Sequence, residues 1–397
     1  MAKTNFNRLL TEVATLDSDL QNPAASGVYA NPDRTLAGIM AGVSFYDDVE
    51  RDTHAYAVLQ KRKMAVISYP WNVTPGDSTP AAKDAADLAR RVLDSIGLDQ
   101  LSLDLLDALL KGYSVVELMY RMKNKEIVIG SAIPRAAYRF QFDKNLELRL
   151  RTAKNIHPGE PVPPRKFLVH THGGKDGNPY GVGLGSKLLA LVRIKREVLR
   201  RAAEYAERVA NGTVIATVDG GGQPELDEAL SIAQTVVSSG VVATTKTTGI
   251  QLVEPSGSAF QVFDQLIKLL NSEISKCVLG ETGSTEASGP GQASLAATHN
   301  GVRLELVRAD ADALSIALNR MLRWLTELNF GPEVAPPQVY RQVGDNEAFL
   351  DKVKKDHLVA ALGFVPSLDY VRENYGGHWE AAPTNQKTPP SIAGIIG

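Results

Sequence analysis

Gly280-Glu281-Thr282-Gly283-Ser284-Thr285-Glu286-Ala287-Ser288-Gly289-Pro290-Gly291-Gln292-Ala293-Ser294 is dominated by small and hydroxyl-bearing residues, with two Glu and no Lys or Arg. Helix-forming sequence flanks it on both sides, so it reads as a loop between two helices. Before it, residues 260–279 place Phe260, Phe263, Ile267, Leu270, Ile274 and Val278 at three-to-four spacing. After it, residues 295–328 can form one helix of more than thirty residues, about 50 Å long at 1.5 Å per residue. That is far beyond the usual ~11 to 12 residue helix. Asn329-Phe330-Gly331-Pro332 ends it. The glycines invite comparison with a phosphate-binding loop, but Glu281 and Glu286 without a Lys carry the wrong sign for phosphate. Such a loop offers a polyanion hydroxyls and weak repulsion rather than a cationic clamp.

Working back from this loop, residues 186–210 read as a long helix with Leu188, Leu189, Val192, Leu199, Ala203, Ala206 and Ala210 at helical spacing, stopped by Asn211-Gly212. Seven basic residues against Glu197, Glu204 and Glu207 leave it +4. Arg193, Arg196 and Arg200, at i, i+3 and i+7, invite a DNA reading. The Glu residues sit at matching spacings, so pairing within the helix or across subunits is the favoured reading. Between the two long helices lies an insert of about 45 residues, read as a strand over 213–218, the Gly220-Gly221-Gly222 turn, a helix around 225–238 and a strand over 249–254.

Nearer the N-terminus, Asn22-Pro23 and Asn31-Pro32 mark the first ~50 residues as a loosely ordered arm. An α+β region follows. Helices are expected over 56–68, 81–96 and 103–111, and strands over 71–73, 114–121, 126–129, 138–142, 147–151 and 167–170. Beyond residue 331, helices over 346–362 and 366–375 and a Gly, Pro and Thr-rich tail complete the chain.

The composition narrows the chemistry. With 44% hydrophobic and 22% charged residues, the chain is expected to fold. Its 43 basic and 45 acidic side chains give a net charge of -2, which argues against tight wrapping around nucleic acid. The single Cys277 excludes an intramolecular disulfide framework, and its apolar surroundings make it a small buried hydrophobe. The first residues lack the apolar core of a signal peptide, and no apolar run nears the ~18 residues of a membrane span, which predicts a soluble cytoplasmic product.

His170 and His172, at i and i+2 on a strand, share a face, but no acidic or Cys pattern completes a metal site. Gly183-Leu184-Gly185-Ser186-Lys187 lacks the Gly-Lys-Ser/Thr ending of a Walker loop. Asp310 and Asp312 do not share a helix face, so Arg308 and solvent are the expected partners. No nucleophile elbow is present, and neither catalytic residues, metal nor cofactor are expected.

Several segments, taken in order, resemble the Mu-like phage portal proteins. They are residues 56–77 (Tyr-Ala-Val-Leu-Gln-Lys-Arg-Lys-Met-Ala-Val-Ile-Ser-Tyr-Pro-Trp-Asn-Val-Thr-Pro-Gly-Asp), 105–117 (Leu-Leu-Asp-Ala-Leu-Leu-Lys-Gly-Tyr-Ser-Val-Val-Glu), 178–185 (Asn-Pro-Tyr-Gly-Val-Gly-Leu-Gly), 273–280 (Glu-Ile-Ser-Lys-Cys-Val-Leu-Gly) and 329–331 (Asn-Phe-Gly).

The resemblance implies a mainly α, α+β portal fold and a dodecameric ring around a channel for double-stranded DNA. Residues 1–184 would be an N-terminal arm and wing, 185–210 and 257–279 two stem helices, and 211–256 a small α/β clip between them. Residues 280–294 would be a tunnel loop at the constriction, 295–328 a long wing helix, and 329–397 a short crown and tail. Glu281, Thr282, Gly283, Ser284, Thr285, Glu286, Ser288 and Gly289 would then line the channel, Arg193, Arg196 and Arg200 would belong to the stem, and Gln223, Glu225, Asp227 and Lys246 to a docking surface on the clip.

The implied partners are further copies of the chain, DNA, the terminase large subunit that drives packaging, the major capsid protein and scaffold, and a head-tail adaptor. The implied place is the capsid vertex of a virion, and the host cytoplasm during assembly. The portal would be non-enzymatic. The rival expectations are a head-tail adaptor or other ring-forming capsid component, and a metal-dependent nuclease, which the missing carboxylate and His cluster opposes.

Overall fold

The computed structural model describes residues 28, 29, 31, 33–36, 42–174, 177–211, 213–218, 222–239, 248–253, 258–281, 293–344, 346–361, 366, 367, 370 and 371. The chain divides into a unit of residues 1–343 and a second unit of residues 344–397. In the larger unit a 3-10 helix (Gly42–Arg51) leads into α1 (Thr53–Ile67), β1 (Trp71–Thr74), α2 (Pro80–Ile96), α3 (Leu98–Leu106) and α4 (Ala108–Lys111). Strands β2 (Tyr113–Lys123), β3 (Glu126–Arg135), β4 (Phe140–Phe142), β5 (Leu148–Leu150), β6 (Glu160–Pro161) and β7 (Phe167–Thr171) follow. Then come α5 (Gly185–Asn211), β8 (Thr213–Val218), α6 (Gln223–Ser239), β9 (Thr248–Val253), α7 (Ser258–Leu279), α8 (Ala293–Phe330) and β10 (Gln338–Arg341). The smaller unit contains α9 (Asn346–Ala361) and a turn in which the Tyr370 hydroxyl donates to the Asp356 carboxylate at 3.1 Å.

Local chemistry explains much of this order. Asp52 caps α1, its carboxylate accepting from the backbone N–H of His54 at 3.1 Å and of Ala55 at 2.9 Å. Thr79 caps α2 with Pro80 at the first helical position, and Gly97 closes it at φ 74°. The hairpin β2–β3 turns on Asn124 and Lys125, both at positive φ, the geometry of a two-residue hairpin loop. Its ladder continues past a register shift between Met119 and Tyr120, which leaves Gly130 as the extra residue.

That bulge is why β3 extends to Arg135 while its alternation reads as a strand only to residue 129. The helix expected over 103–111 is instead broken at Asp107, whose carboxylate takes Lys63 at 2.6 Å and Lys111 at 3.1 Å. The segment reading as a helix over 366–375 is described only at residues 366, 367, 370 and 371, and helical at the last two.

Two apolar clusters carry the larger unit. One gathers Leu88, Val92 and Leu93 of α2, Leu101 and Leu105 of α3, Val116 and Leu118 of β2, and Leu314, Leu318, Met321 and Leu325 of α8. The second gathers Tyr46 and Val49 of the 3-10 helix, Val58 and Leu59 of α1, Phe140 and Phe142 of β4, Leu188 and Val192 of α5, and Ile274 and Val278 of α7. The glycine-rich segment 178–185 threads through this second cluster. A Cβ at Gly183 would collide with the Leu110 carbonyl, and one at Gly185 with the Tyr46 ring, so bare backbone is required at both. Tyr180 of the same segment packs edge-on against Phe142 at 4.9 Å and Tyr113 at 5.5 Å, and its hydroxyl accepts from the Phe142 N–H at 3.1 Å.

Strand pairing closes the body over long sequence separations. β7 joins β2 on the side opposite β3, giving the order β3-β2-β7, and β1 pairs antiparallel with β10. Arg341 of β10 donates to the carbonyls of Ile67 at 3.1 Å and Tyr69 at 2.8 Å and pairs with Asp99 at 2.6 Å. At the end of α8, the Asn329 amide bonds the N–H of Ile127 at 2.8 Å and its C=O at 2.9 Å, so one side chain supplies β3 with both halves of a strand-like pairing.

Candidate functional site

Helices α5 and α7 run antiparallel. Leu188 and Val192, early in α5, share a cluster with Ile274 and Val278, late in α7, whereas Tyr205, late in α5, meets Phe263, early in α7, at 5.9 Å between ring centroids. At their far end β8 and β9 pair antiparallel from Thr213↔Val253 to Val218↔Thr248, with α6 in the connection. The result is a two-helix stalk with a small β-hairpin and helix at its tip. Among the described residues, burial is densest at the base of the stalk. Leu199, Phe260, Val262 and Leu269 are 45%, 57%, 62% and 55% exposed, an apolar surface that a helix presents when a neighbour is to cover it.

The arginines of α5 are divided between two tasks. Arg200 pairs with Glu197 at 2.6 Å and with Glu204, as the intrahelical spacing predicts. Arg196 instead reaches the 3-10 helix, pairing with the Asp48 carboxylate at 2.7 Å and donating to its carbonyl at 2.5 Å, and Arg193 lies over the Phe45 ring at 4.9 Å. Between them Lys195 is buried against Asp52 at 2.8 Å, so the cap of α1 is also the counter-ion of α5. At the tip, Glu225 accepts from the Gly222 N–H at 2.8 Å and Gln223 donates to Asp227 at 3.1 Å; all three side chains are exposed on the first turns of α6. Lys246 lies outside the described residues.

At the base of the stalk, α7 ends at Gly280 with φ 73°, and the chain enters the segment read as a tunnel loop. Glu281 is 5% exposed, so its carboxylate is turned into the body. Residues 282–292, with Thr282, Gly283, Ser284, Thr285, Glu286, Ser288 and Gly289, lie outside the described residues. Arg62 ties the last turn of α7 to the middle of α8. Arg62 of α1 donates through NH1 to the Val278 carbonyl on the last turn of α7 at 2.7 Å, and through Nε and NH2 to both carboxylate oxygens of Asp310 on α8, at 2.7 and 3.0 Å. Arg62 and Asp310 are 7% and 4% exposed.

The expectation that Asp310 meets Arg308 and solvent is thus overturned: the fork geometry and burial of Arg62 outcompete a surface pair. This residue pair is what a reading of the sequence missed. Its one signal is the cationic run Lys61-Arg62-Lys63 between the apolar stretches Ala55–Leu59 and Met64–Ile67 of a helical segment.

His172 stands 3.9 Å from Asp310, and His170 is 3% exposed on β7. Burial, with a smaller push from His172, lowers His170 to about 4, and burial also lowers His172 against the pull of Asp310. The unfolded chain therefore takes up a proton near pH 6.5 that the native state refuses until about 4. Stability is full above pH 6.5 and falls as the pH drops toward 4, by roughly 3 kcal/mol for His170 alone. Urea midpoints measured from pH 7 to 4.5 will show this loss, and His170→Gln will flatten it; an unchanged slope in that variant would refute the assignment. Burial raises the Cys277 thiol, which is half-buried rather than sealed. Among the described residues no group of three or more His, Cys, Asp or Glu is placed to hold a metal, and no helix is long and apolar enough to cross a membrane.

The chain matches the family model described as the portal protein of Mu bacteriophage over residues 43–377. It is 28% identical over 286 residues to the portal protein of Escherichia phage Mu, a match covering 70% of this chain and 55% of that one. The chain thus spans about half the length of this curated relative. Among solved structures, a chain of the native gene transfer agent virion superposes with a TM-score of 0.57 at 13% identity, over 92% of this chain and 99% of that one. A chain of the native gene transfer agent neck, computed with C12 symmetry, superposes with a TM-score of 0.54 at 14% identity, over 89% and 96%. These two likenesses are of fold.

Proposed function

The chain belongs to the family of the portal protein of Mu bacteriophage, and from that premise we infer that it is the portal subunit of a tailed phage, assembling into a closed ring at a capsid vertex through which double-stranded DNA is packaged and later ejected. The observation that carries the reading is the stalk. An antiparallel helix pair with Leu199, Phe260, Val262 and Leu269 exposed cannot cover both its faces alone, and rotational repetition of one copy covers them. In this reading α5 and α7 are the stem, the β8–α6–β9 unit is the clip, residues 282–292 are the tunnel loop, and α8 is the long wing helix. Twelve copies is the proposed ring size, by analogy with the twelve-fold neck structure whose fold it shares.

The exposed Gln223, Glu225 and Asp227 at the tip form the surface on which the packaging motor and later the head-completion proteins dock. The partly paired arginines of α5 leave little free cationic surface to grip DNA, as a sliding channel requires, since each Lys or Arg contact to phosphate adds salt-dependent hold. The ring acts as a conduit, and hydrolysis belongs to the motor. Native mass spectrometry and negative-stain imaging of the purified chain test this: rings with a countable number of subunits are expected, and a monomer persisting under all conditions would sink the proposal.

A further inference from the structure

In the order β3-β2-β7 the last strand has a neighbour on one side only. Two bonds at its ends fix which backbone groups that neighbour takes. The Leu118 N–H donates to the Lys166 carbonyl and the His172 N–H to the Gly112 carbonyl, both at 2.8 Å. In the register from Tyr113↔Thr171 to Glu117↔Phe167, the even-numbered residues of β7 therefore bond β2, while Phe167 and Val169 turn their N–H and C=O the other way. Among the described residues no hydrogen-bond partner meets these groups. Beyond Thr171 the edge is closed, since the Val182 N–H donates to the His172 carbonyl at 2.9 Å. An open edge is a row of unused donors and acceptors, which folded proteins cover or blunt.

A cleft of about 520 Å³ runs along this edge. Helix α8 packs on the face of the sheet that carries Leu168, whereas Phe167 faces the other way, edge-on to Phe140 at 5.3 Å. The cleft touches both Arg320 and Trp324 of α8 and Phe167 and Val169, so it lies over the open side of the strand. Its two walls differ in chemistry. On one, Leu148, Phe167 and Val169 are half-buried apolar groups. On the other, Arg320 is exposed and has no ion pair among the described residues. The remaining charges are engaged: Arg149 and Arg165 pair with Asp143 and Glu327, and Glu147 lies with Arg149.

We propose that this edge receives an extended segment of a partner protein, added antiparallel to β7 and built of apolar residues alternating with carboxylates. The inference goes beyond the ring and its channel, which make no use of the edge. Antiparallel addition continues the pairing found throughout this sheet. Residues of the added strand opposite Phe167 and Val169 then share their face and meet the apolar wall, and the residues between them face Arg320. The unpaired backbone supplies affinity for any extended chain, and the difference between the two walls selects the alternation.

The probe is a fluorescent peptide, Gly-Val-Glu-Val-Glu-Val-Gly, titrated into the purified full chain and followed by anisotropy. Saturable binding is expected. N-methylation of the Val amides, which face β7 in the added strand, is expected to weaken it at least about tenfold, and N-methylation of the Glu amides, which face away, to leave it unchanged. Arg320→Glu is expected to weaken the same peptide about tenfold and to strengthen Gly-Val-Lys-Val-Lys-Val-Gly by a similar factor. Absence of binding overturns the proposal, as does binding indifferent to the position of the methyl groups or to Arg320→Glu. Binding to monomers that is lost on assembled rings also overturns it, and gives the edge to a neighbouring copy.

Discussion

Arg62→Ala costs about 3–5 kcal/mol, because it strands the Asp310 carboxylate in a site where it is 4% exposed and removes the donor from the Val278 carbonyl. Against a total stability of about 5–15 kcal/mol, that is enough to unfold a marginal chain. The cost is one of an orphaned charge rather than of a favourable pair lost. Arg62→Met combined with Asp310→Leu is therefore expected to recover most of it, since a desolvated ion pair replaced by apolar volume is close to neutral. Urea midpoints of the single and double variants measure both quantities. A single-variant loss below about 1 kcal/mol, as for a surface pair, would show that the buried pair does not anchor the structure.

Deleting residues 282–289 is expected to leave ring assembly intact and to reduce DNA-filled particles to background. Arg62 ties α7 to α8 through Val278 and Asp310, which both lie outside the deleted residues, so the fold is expected to survive the deletion. In the proposed ring the same segment forms the channel constriction. Glu281 is buried, so its carboxylate belongs to the body at the end of α7 and not to the channel surface proposed for the loop. Particle counts by electron microscopy, together with ring counts on the same preparations, separate the outcomes. Normal packaging by the shortened chain would remove the loop from the DNA path, and loss of rings would make it a structural element.

The long elements were legible because they obey local rules. The helical stripes of α5 and α7, the Gly stop after Asn211, and the strand pattern of β8 and β9 are written in spacing that needs no partner to interpret. The strand β8 lies where its alternation puts it, at Thr213–Val218, and the long helix after the loop exceeds its expected 295–328 by two residues at each end. The short strands were harder to read, because β10 exists only by virtue of pairing with β1 some 260 residues earlier, from Trp71↔Arg341 to Thr74↔Gln338. β-structure of this kind reflects context more than intrinsic preference.

The candidate site divides along the same line. Its frame, helix then loop then long helix, comes from the sequence itself, as do the acidic character of the loop and the exclusion of a phosphate cradle. Ion-pair partners are another matter. Arg193 has Glu197 one helical turn away yet lies over the Phe45 ring, Arg196 reaches Asp48, Asp310 chooses Arg62 over Arg308, and Asp107 breaks a helix to serve Lys63 and Lys111. Sequence spacing ranks only neighbours on the same helix, at a few tenths of a kcal/mol each. Burial removes competing water and makes a distant, well-oriented partner worth far more, so tertiary structure alone decides which charges meet.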